Sequence, residues 1–444
     1  MHLSRLFLFE NFEIAKAETT SLPELDDARE RKEKKMKDNE LLVFTEGENG
    51  LATFLQVLKK QKKTDIWRRC YTKEMKVHPL YNNPIGLPLL REELNIPCDD
   101  DFIISCMEEE KPIMLEFPLE KMTCIPLRST AFASLCGRGH VNGTVLQKMN
   151  IEDFSTVMNI CLQQWGDSSL VLYRDDKISA VHSGDANDYS VLVMYDLMKA
   201  LEEGLKELCS ENGRSASYQF TGGFLDHSLC SANFMLHDND LAEYYKGYLT
   251  KMGYEKTDKF YPVVRFSSSD VGVCGANITP VLSNGKKDIQ IGNPLTLNHK
   301  NKASIEMFKT NVKGIYALFR STLKDFDRLE EIVLDYPERC FINLCKKIKI
   351  GNKYMEAFVD FQNTRGSKTN ALELYFAICE IIRYMKNNHE PENKIFKEQE
   401  KIARILSLNI KAYDKPDLEE LVTKEIKKGK GCIYSLSLPF GEEK

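Results

Sequence analysis

The sequence predicts an α+β protein with a mixed or antiparallel sheet core, flanking helices and a C-terminal helical section. Three observations predict this class. Residues 169–182 hold two β-rich runs around a polar turn, residues 261–292 hold three more extended runs, and from residue 303 the apolar period becomes helical. Strands grouped in hairpins and followed by an all-helical section favour α+β over α/β.

The helices that precede the first hairpin are predicted from apolar spacing and capping residues. Residues 50–59 repeat apolar side chains at intervals of three and four, which is typical of a helix. Residues 129–136 predict a short helix that ends near two glycines. Asn150 begins another helix, because Asp153 follows it at the spacing of a capping box.

The middle of the chain alternates predicted helices with extended runs. A helix is predicted over residues 189–209 and another over residues 241–252. Strands are predicted at 216–220, 231–236, 261–266, 275–282 and 288–292. Asn284 and Gly285 form a turn dipeptide between the last two strands, because both residues accept the positive φ of a tight hairpin.

The C-terminal section is predicted to be helical from residue 303 to about residue 408, with four or five helices, and a strand is predicted at 432–438. The predicted organisation divides the chain into five parts. These are a charged tail at 1–40, a mixed region at 41–150, an α+β core at 151–300, a helical domain at 301–411 and a charged tail at 412–444.

Composition excludes a mainly disordered or fibrous protein, because 42% of the 444 residues are hydrophobic and 29% are charged. The formal net charge is -5, and it is distributed unevenly. Residues 296–444 carry 27 Lys and Arg against 22 Asp and Glu, whereas the remainder is acidic. A basic rear section is compatible with a nucleic-acid-binding face, although solvated helices explain the same excess.

The cysteines predict a reducing compartment. None of the thirteen cysteines forms a Cys-x-x-Cys pair, and the closest two, Cys340 and Cys345, are five apart. An odd number within apolar runs predicts buried free thiols and no structural zinc. No run is long and apolar enough for a membrane span or a signal core, so a cytoplasmic protein is expected.

Two polar loops beside strands are candidates for a shared pocket. The residues assigned to it are Ser183, Asp185, Ser269, Asp270, Asn277 and His299. A turn between strands, with Asp270 bonding nearby backbone amides, is the more ordinary interpretation. The Gly-x-Ser-x-Gly elbow of a serine nucleophile is missing around Ser269, so no catalytic residue is assigned.

Two pairs of cationic residues are candidates for anion or nucleic-acid binding. Arg365 and Lys368 precede a helix whose N-terminus, with nearby cations, can hold a phosphate. Ordinary capping of that helix by Asn370 is the alternative. Arg128 and Arg138 flank the short helix near residue 130 and form the second pair, for which simple solvation of a turn is the alternative.

Metal-ligand side chains occur around residues 226–240 without a standard spacing. Asp226, His227, His237, Asp238 and Asp240 offer suitable ligand atoms, but ten residues separate the histidines. No cofactor is therefore predicted, and a divalent metal is left open.

Four short blocks in order resemble a phage- and plasmid-borne protein family of unknown function. They are KISAVHSGD at 177–185, FSSSDVG at 266–272, LNHK at 297–300 and TNALELYF at 369–376. Members of that family occur in prophages, phages and conjugative plasmids. The resemblance covers roughly residues 120–390, and it implies a mobile-element origin in a bacterial host without implying an activity.

These observations lead to one expected function and two alternatives. We expect a non-enzymatic accessory protein of a mobile element that handles single-stranded nucleic acid, through phosphate contacts and base stacking. Aromatic residues lie close to basic ones in the rear section, namely Tyr316, Phe319, Arg320, Tyr375, Arg383 and Tyr384. The alternatives are a counter-defence protein that binds a host immune component and a metal-dependent hydrolase that uses the polar loops.

Overall fold

The structure is a computed structural model, and it describes residues 41–80, 100–119, 122–141, 144–210, 216–251, 259–366 and 368–416. Antiparallel sheets and a helical C-terminal section confirm the predicted α+β class. None of the helices in these ranges is both long and apolar enough to cross a membrane.

The strands form one large sheet and three small ones. In chain order they are β1 (Leu42–Phe44), β2 (Ile66–Tyr71), β3 (Lys76–Pro79), β4 (Ile113–Pro118), β5 (Met122–Pro126), β6 (Ser168–Arg174), β7 (Lys177–Ser183), β8 (Ser217–Leu225), β9 (Cys230–His237), β10 (Tyr261–Ser268), β11 (Ala276–Ser283), β12 (Asp288–Gln290), β13 (Leu295–Leu297), β14 (Val333–Leu334) and β15 (Thr369–Asn370). The large sheet has the order β1-β8-β9-β10-β11-β12, with β13 also pairing with β11.

The helices surround these sheets and dominate the sequence after β13. They are α1 (Gly47–Thr64), α2 (Asp100–Met107), α3 (Ser129–Arg138), α4 (Thr144–Lys148), α5 (Ile151–Gln163), α6 (Met194–Ser210), α7 (Asn239–Lys251), α8 (Ile305–Lys313), α9 (Ile315–Glu330), α10 (Pro337–Lys347), α11 (Met355–Thr364), α12 (Ala371–Asn387) and α13 (Glu392–Ala403). Short 3₁₀ turns lie at Thr72–Glu74, Gly351–Tyr354, Arg404–Ser407 and Ile410–Tyr413.

The large sheet has one apolar face and one polar face, because successive side chains of a strand point to opposite sides. Phe234, Val264, Phe266 and Ile278 belong to the main hydrophobic core, which also includes residues of α1, α6, α8 and α9. Most of the alternate positions of the same strands are polar. The buried ones are Ser231, Arg265, Ser267, Asn277, Thr279 and Gln290, and Asn233 is half-buried.

A second hydrophobic core lies around the smaller sheets. Sheets β2-β6-β7 and β3-β4-β5 contribute Leu115, Ile125 and Val171 to it, and α5 contributes Phe154. Residues 41–150 are thus not separate from the strands that follow them, because β1 pairs with β8 and β2 pairs with β6. The predicted boundary at residue 150 falls between these paired strands.

The predicted hairpins are present. Strands β6 and β7 pair around Asp175 and Asp176, which have φ values of 47° and 64°. Strands β11 and β12 pair around Asn284 and Gly285, and Gly285 has the positive φ of the predicted turn, 83°. Residues 269–275 connect β10 to β11, which pair along their lengths. The serine- and glycine-rich stretch is therefore the turn of a hairpin in the large sheet, as its composition predicts.

Caps and tertiary contacts set the helix boundaries. Asn150 Oδ1 accepts the backbone N–H of Asp153 at 2.8 Å, which confirms the predicted cap of α5. The helix predicted from residue 189 begins only at Met194, because Ser190 N–H donates to His299 O at 2.9 Å and holds this segment against another loop. The predicted strand at 432–438 lies outside the described residues.

The remaining predicted elements have close counterparts. The helices predicted at 50–59, 129–136 and 241–252 correspond to α1, α3 and α7, and the predicted strands correspond to β8 to β12. The C-terminal section is helical as predicted, but it is divided into more helices than four or five, α8 to α13. All of the eleven described cysteines except Cys161 and Cys274 are buried, as predicted.

We expect Gly204→Ala to destabilise the protein. A Cβ at Gly204 in α6 would lie 2.3 Å from Val312 Cγ1 of α8, so these helices would have to separate. The cost of such overpacking is about 1–3 kcal/mol, which chemical denaturation can measure. Gly247→Ala in α7 is the matched control, because a Cβ there meets nothing within 4 Å. This control should gain about 0.4–1 kcal/mol, and equal effects of the two substitutions would contradict the packing described.

Candidate functional site

Arg174 connects three parts of the chain where the two predicted polar loops approach each other. Its side chain is 1% exposed, and its Nε and Nη2 donate to the Asp65 carboxylate at 2.9 and 2.5 Å. Nη2 also donates to Asp270 Oδ2 at 2.6 Å. Burial opposes the charge on Arg174, but the two carboxylates outweigh burial and raise its pKa. Arg174 is therefore a permanent cation between the buried Asp270 and the half-buried Asp65.

The prediction that the Asp270 side chain bonds backbone amides is corrected by this geometry, because its carboxylate bonds a guanidinium group. The backbone carbonyl of Asp270 is also used. It accepts from Tyr189 Oη at 2.8 Å and lies 2.8 Å from His182 Nε2. Asp270 thereby ties the loop at 269–275 to β7 and to the segment before α6.

Four aromatic rings are stacked beside this junction. The centroid of His182 lies 6.2 Å from that of Trp67 and 3.6 Å from that of Tyr189, and Tyr189 lies 5.4 Å from His299. Burial lowers the pKa of His182 to about 4 and also lowers the pKa of His299. Both imidazoles are therefore neutral at pH 7, and they act there as packed hydrogen-bonding rings.

The predicted polar pocket is only partly assembled. Asp270 and His299 come together through Tyr189, but the cavity beside Asp270, Asp65 and Trp67 has a volume of about 40 Å³. That volume holds only about one or two water molecules. The junction is thus a packed joint, and a substrate does not fit into this cavity.

The other predicted pocket members have local structural contacts or lie elsewhere. Asp185 is exposed and accepts the backbone N–H of Asn187 at 2.8 Å, while Ser183 Oγ donates to Asp188. Ser269 Oγ donates to the Ser228 carbonyl at 2.6 Å. Asn277 lies on β11 opposite Ser267, on the polar face of the large sheet.

Arg128 and Arg138 are both buried. Arg128 Nη2 donates weakly to the Arg174 and Asp175 carbonyls, at 3.5 and 3.4 Å. Arg138 donates to Ser169 Oγ at 2.9 Å and forms an ion pair with Asp167. Both guanidinium groups therefore have partners inside the protein, and neither forms an exposed cationic spot.

Arg365 and Lys368 line the same cleft between α11 and α12. The cleft has a volume of about 610 Å³, and Lys251 and Arg383 also line it. Phe361 and Phe376 are the aromatic residues of its lining. Its acidic residues are Asp360, Glu373 and Glu380.

Most of the charges in this cleft are already paired. Arg365 Nη2 lies 2.7 Å from Glu338 Oε1, and Arg383 lies 2.6 Å from Glu380 and 3.2 Å from Asp360. Lys251 lies 2.5 Å from Glu330. The N-terminus of α12 carries the predicted capping box of Asn370 and Glu373. This capping is the alternative that the sequence offered to anion binding at that position.

The aromatic residues of the rear section are mostly in the core. Phe319 and Tyr375 are fully buried, and Tyr375 Oη donates to the Gln290 carbonyl at 2.5 Å. Tyr316 Oη donates to Asp238 at 2.9 Å. Tyr384 donates to Asp360 and lies under the Arg383 guanidinium, 5.0 Å from ring centroid to Cζ. These side chains therefore do not form a row of exposed rings on which bases could stack.

The predicted metal-ligand residues have other contacts. Asp226 Oδ1 accepts the backbone N–H groups of Ser228 and Leu229, both at 2.7 Å, and Asp238 caps α7 through Leu241 N–H at 2.9 Å. His237 Nε2 lies 3.2 Å from Gln219 Oε1. Within the described ranges, no group of three or more His, Cys, Asp or Glu side chains is arranged as a metal site.

Comparison of the chain with protein-family models, with curated proteins and with solved structures finds no match. Function therefore has to be argued from the geometry of the chain itself.

Sequence reasoning missed the residues that organise the junction, Asp65, Arg174 and Tyr189. Arg174 is separated from its two acidic partners by 109 and 96 positions, so no local pattern joins them. It also missed a second cleft, lined by Arg265, which lies over the polar face of the large sheet. In the sequence, this cleft is indicated only by the polar residues at alternate positions of the strands.

His182 predicts a pH dependence of stability. Its folded pKa of about 4 lies below the ordinary value of 6.5, so its contribution to stability is complete above pH 6.5 and is lost as pH falls toward 4. His182→Phe keeps a ring in the stack but cannot titrate. The free energy of unfolding should therefore decrease less between pH 6.5 and 4 in this variant than in the unmodified chain.

Urea denaturation at several pH values measures this difference. His237→Phe is the control for exchanging a histidine for phenylalanine, because His237 is exposed on β9. If His182→Phe and the unmodified chain lose the same stability over this pH range, the buried, neutral state of His182 is wrong.

Proposed function

We propose that this chain is a non-enzymatic accessory protein of a phage or plasmid that binds single-stranded nucleic acid in the cytoplasm of a bacterial host. The four sequence blocks that resemble phage- and plasmid-borne proteins support the mobile-element part of the proposal. The observation that carries the binding part is the cleft between α11 and α12, where Arg365, Lys368, Lys251 and Arg383 gather from separate parts of the chain.

Phosphate groups would be held by the cations at the edge of this cleft. Lys368 is exposed, and no ion pair involves it among the described residues. Arg365 and Glu338 are about one-third exposed, and such surface pairs contribute only about 0–1 kcal/mol. Arg365 can therefore exchange its carboxylate partner for a phosphate at little cost. Arginine also matches the planar, bidentate geometry of phosphate oxygens.

The acidic residues of the cleft limit the strength of binding. Glu380 is paired with Arg383 and Lys287, and Glu373 accepts the Asn370 N–H, so both carboxylates have internal partners. This charge balance fits a site that binds the nucleic-acid backbone with modest affinity better than a site that recognises a particular base sequence.

The hydrolase alternative receives less support. Asp270, the acid of the polar loop that this alternative would use, is 5% exposed and bonded to Arg174. A general base or a metal ligand has to reach the reacting atoms, and the cavity next to Asp270 is too small for a substrate. No specific contact favours the counter-defence alternative.

The test is fluorescence anisotropy with a labelled oligothymidylate at several salt concentrations. Binding should weaken as salt rises. The combined change Arg365→Gln and Lys368→Gln should make the slope of log affinity against log salt shallower, by about 0.7 for each phosphate that the protein no longer neutralises.

The matched control is Lys313→Gln with Lys324→Gln, which removes the same charge from exposed positions on α8 and α9 outside the cleft. It should retain the slope of the unmodified chain. Equal slopes for the two double variants would contradict binding at this cleft. Binding of oligothymidylate that does not depend on salt, or no change in anisotropy, would contradict nucleic-acid binding.

A further inference from the structure

A second cleft lies over the polar face of the large sheet and shares no lining residue with the cleft between α11 and α12. Its volume is about 530 Å³. Residues of β8, β9 and β10 form its floor. The connection between α12 and α13, with the first turns of α13, forms a wall. A cleft of this size is within the range that binds small molecules.

Arg265 is the buried cation of this cleft. It lies in the middle of β10, it is 3% exposed, and its Nε donates to Asn233 Oδ1 at 3.1 Å. Its Nη2 is 3.5 Å from Asp288 Oδ2, a weak contact, and its Nη1 has no hydrogen-bond partner among the described residues. A guanidinium group has five donors, so most of its hydrogen-bonding capacity is unused.

The carboxylate nearest to Arg265 is shared with other donors. Asp288 accepts from Ser283 Oγ at 2.6 Å, from Gln399 Nε2 at 3.0 Å and from Lys386 Nζ at 2.8 Å. Although burial opposes ionisation, Lys386 and Arg265 hold the pKa of Asp288 at about 2. One carboxylate thus serves two cations and cannot satisfy Arg265.

The remaining acids lie on α13 or just before it. Glu390 is 3.4 Å from Lys394, and Glu392 lines the cleft. Burial raises the pKa of Glu392 and of Glu400. The cleft therefore has a cationic inner part and an acidic rim.

Much of the remaining lining is apolar or lacks side chains, and its other polar members are Thr221, Ser231 and His389. Phe224 and Phe396 form an edge-to-face pair with centroids 5.9 Å apart, and Phe44 and Ile395 lie on the same walls. Gly222 and Gly223 also line the cleft and contribute no side chains to it. An apolar surface thus lies next to the buried cation.

We propose that this cleft binds a small organic molecule that carries a carboxylate or a phosphate group beside an apolar part. The oxyanion accepts hydrogen bonds from Arg265 and forms an ion pair with Lys386, and the apolar part packs against the Phe224–Phe396 pair. Carboxylate and phosphate share the oxygen geometry that a guanidinium group recognises. The unused donors of Arg265 and the shared Asp288 carry this inference.

Three probes of the same shape test the proposal. Benzoate and phenyl phosphate carry the two oxyanions, and benzamide is the neutral control. Titrations of the unmodified chain, followed by ligand-observed NMR, should detect benzoate or phenyl phosphate at about 1 mM or below and should show binding of benzamide at least about tenfold weaker. The stronger of the two anions identifies the headgroup.

Arg265→Met distinguishes a binding role from a structural one. If Arg265 serves a ligand, this apolar substitution should abolish binding of the anionic probe while the melting temperature stays the same or rises, because a buried charge with few partners disappears. If Arg265 serves the fold, the melting temperature should fall by several degrees.

Lys386→Gln keeps the test decisive if Arg265→Met does not fold, because Lys386 is partly exposed on α12. This variant should weaken the anionic probe several-fold. Lys394→Gln, an exposed residue of α13, is its control and should bind normally. Failure of both anions to bind at about 5 mM, equal binding of benzamide, or unchanged affinity in Lys386→Gln would overturn the proposal.

Discussion

The buried ion pairs of Arg174 are the interaction on which the arrangement of this protein depends. Arg174 ends β6, Asp65 follows α1, and Asp270 belongs to the hairpin loop of the large sheet. A buried guanidinium group is stable only when its charge and donors are matched, since removing it from water costs several kcal/mol. The contacts of Arg174 therefore hold sheet β2-β6-β7 and the large sheet in one relative position.

The position of this joint explains why the most conspicuous polar loops do not form an open site. The backbone of Asp270 accepts from Tyr189, and Tyr189 stacks between His182 and His299. The side chains that look reactive in the sequence are used in assembly. Larger clefts lie instead between α11 and α12 and between the large sheet and α12 and α13, and cations line both of them.

Local patterns were sufficient to predict much of the fold. Alternation and turn residues predict the hairpins around Asp176 and Gly285, and capping residues predict the starts of α5 and α12, because these signals act over a few positions. The candidate site was predicted less well. Arg174 finds its partners about a hundred positions away, and the orphaned Nη1 of Arg265 depends on which residues share Asp288. These contacts form only after the strands pair, so no local pattern in the sequence indicates them.

A double-mutant cycle on Arg174 and Asp270 tests this account most directly, with Arg174→Met, Asp270→Asn and their combination measured by chemical denaturation. We expect Arg174→Met alone to cost about 3–5 kcal/mol, because it leaves the carboxylates of Asp270 and Asp65 without their guanidinium partner. The coupling energy should be about 2 kcal/mol. The exposed pair Lys246 and Glu243, 2.8 Å apart, is the reference and should couple by less than about 0.5 kcal/mol. A coupling for Arg174 and Asp270 no larger than that of the exposed pair would contradict the account.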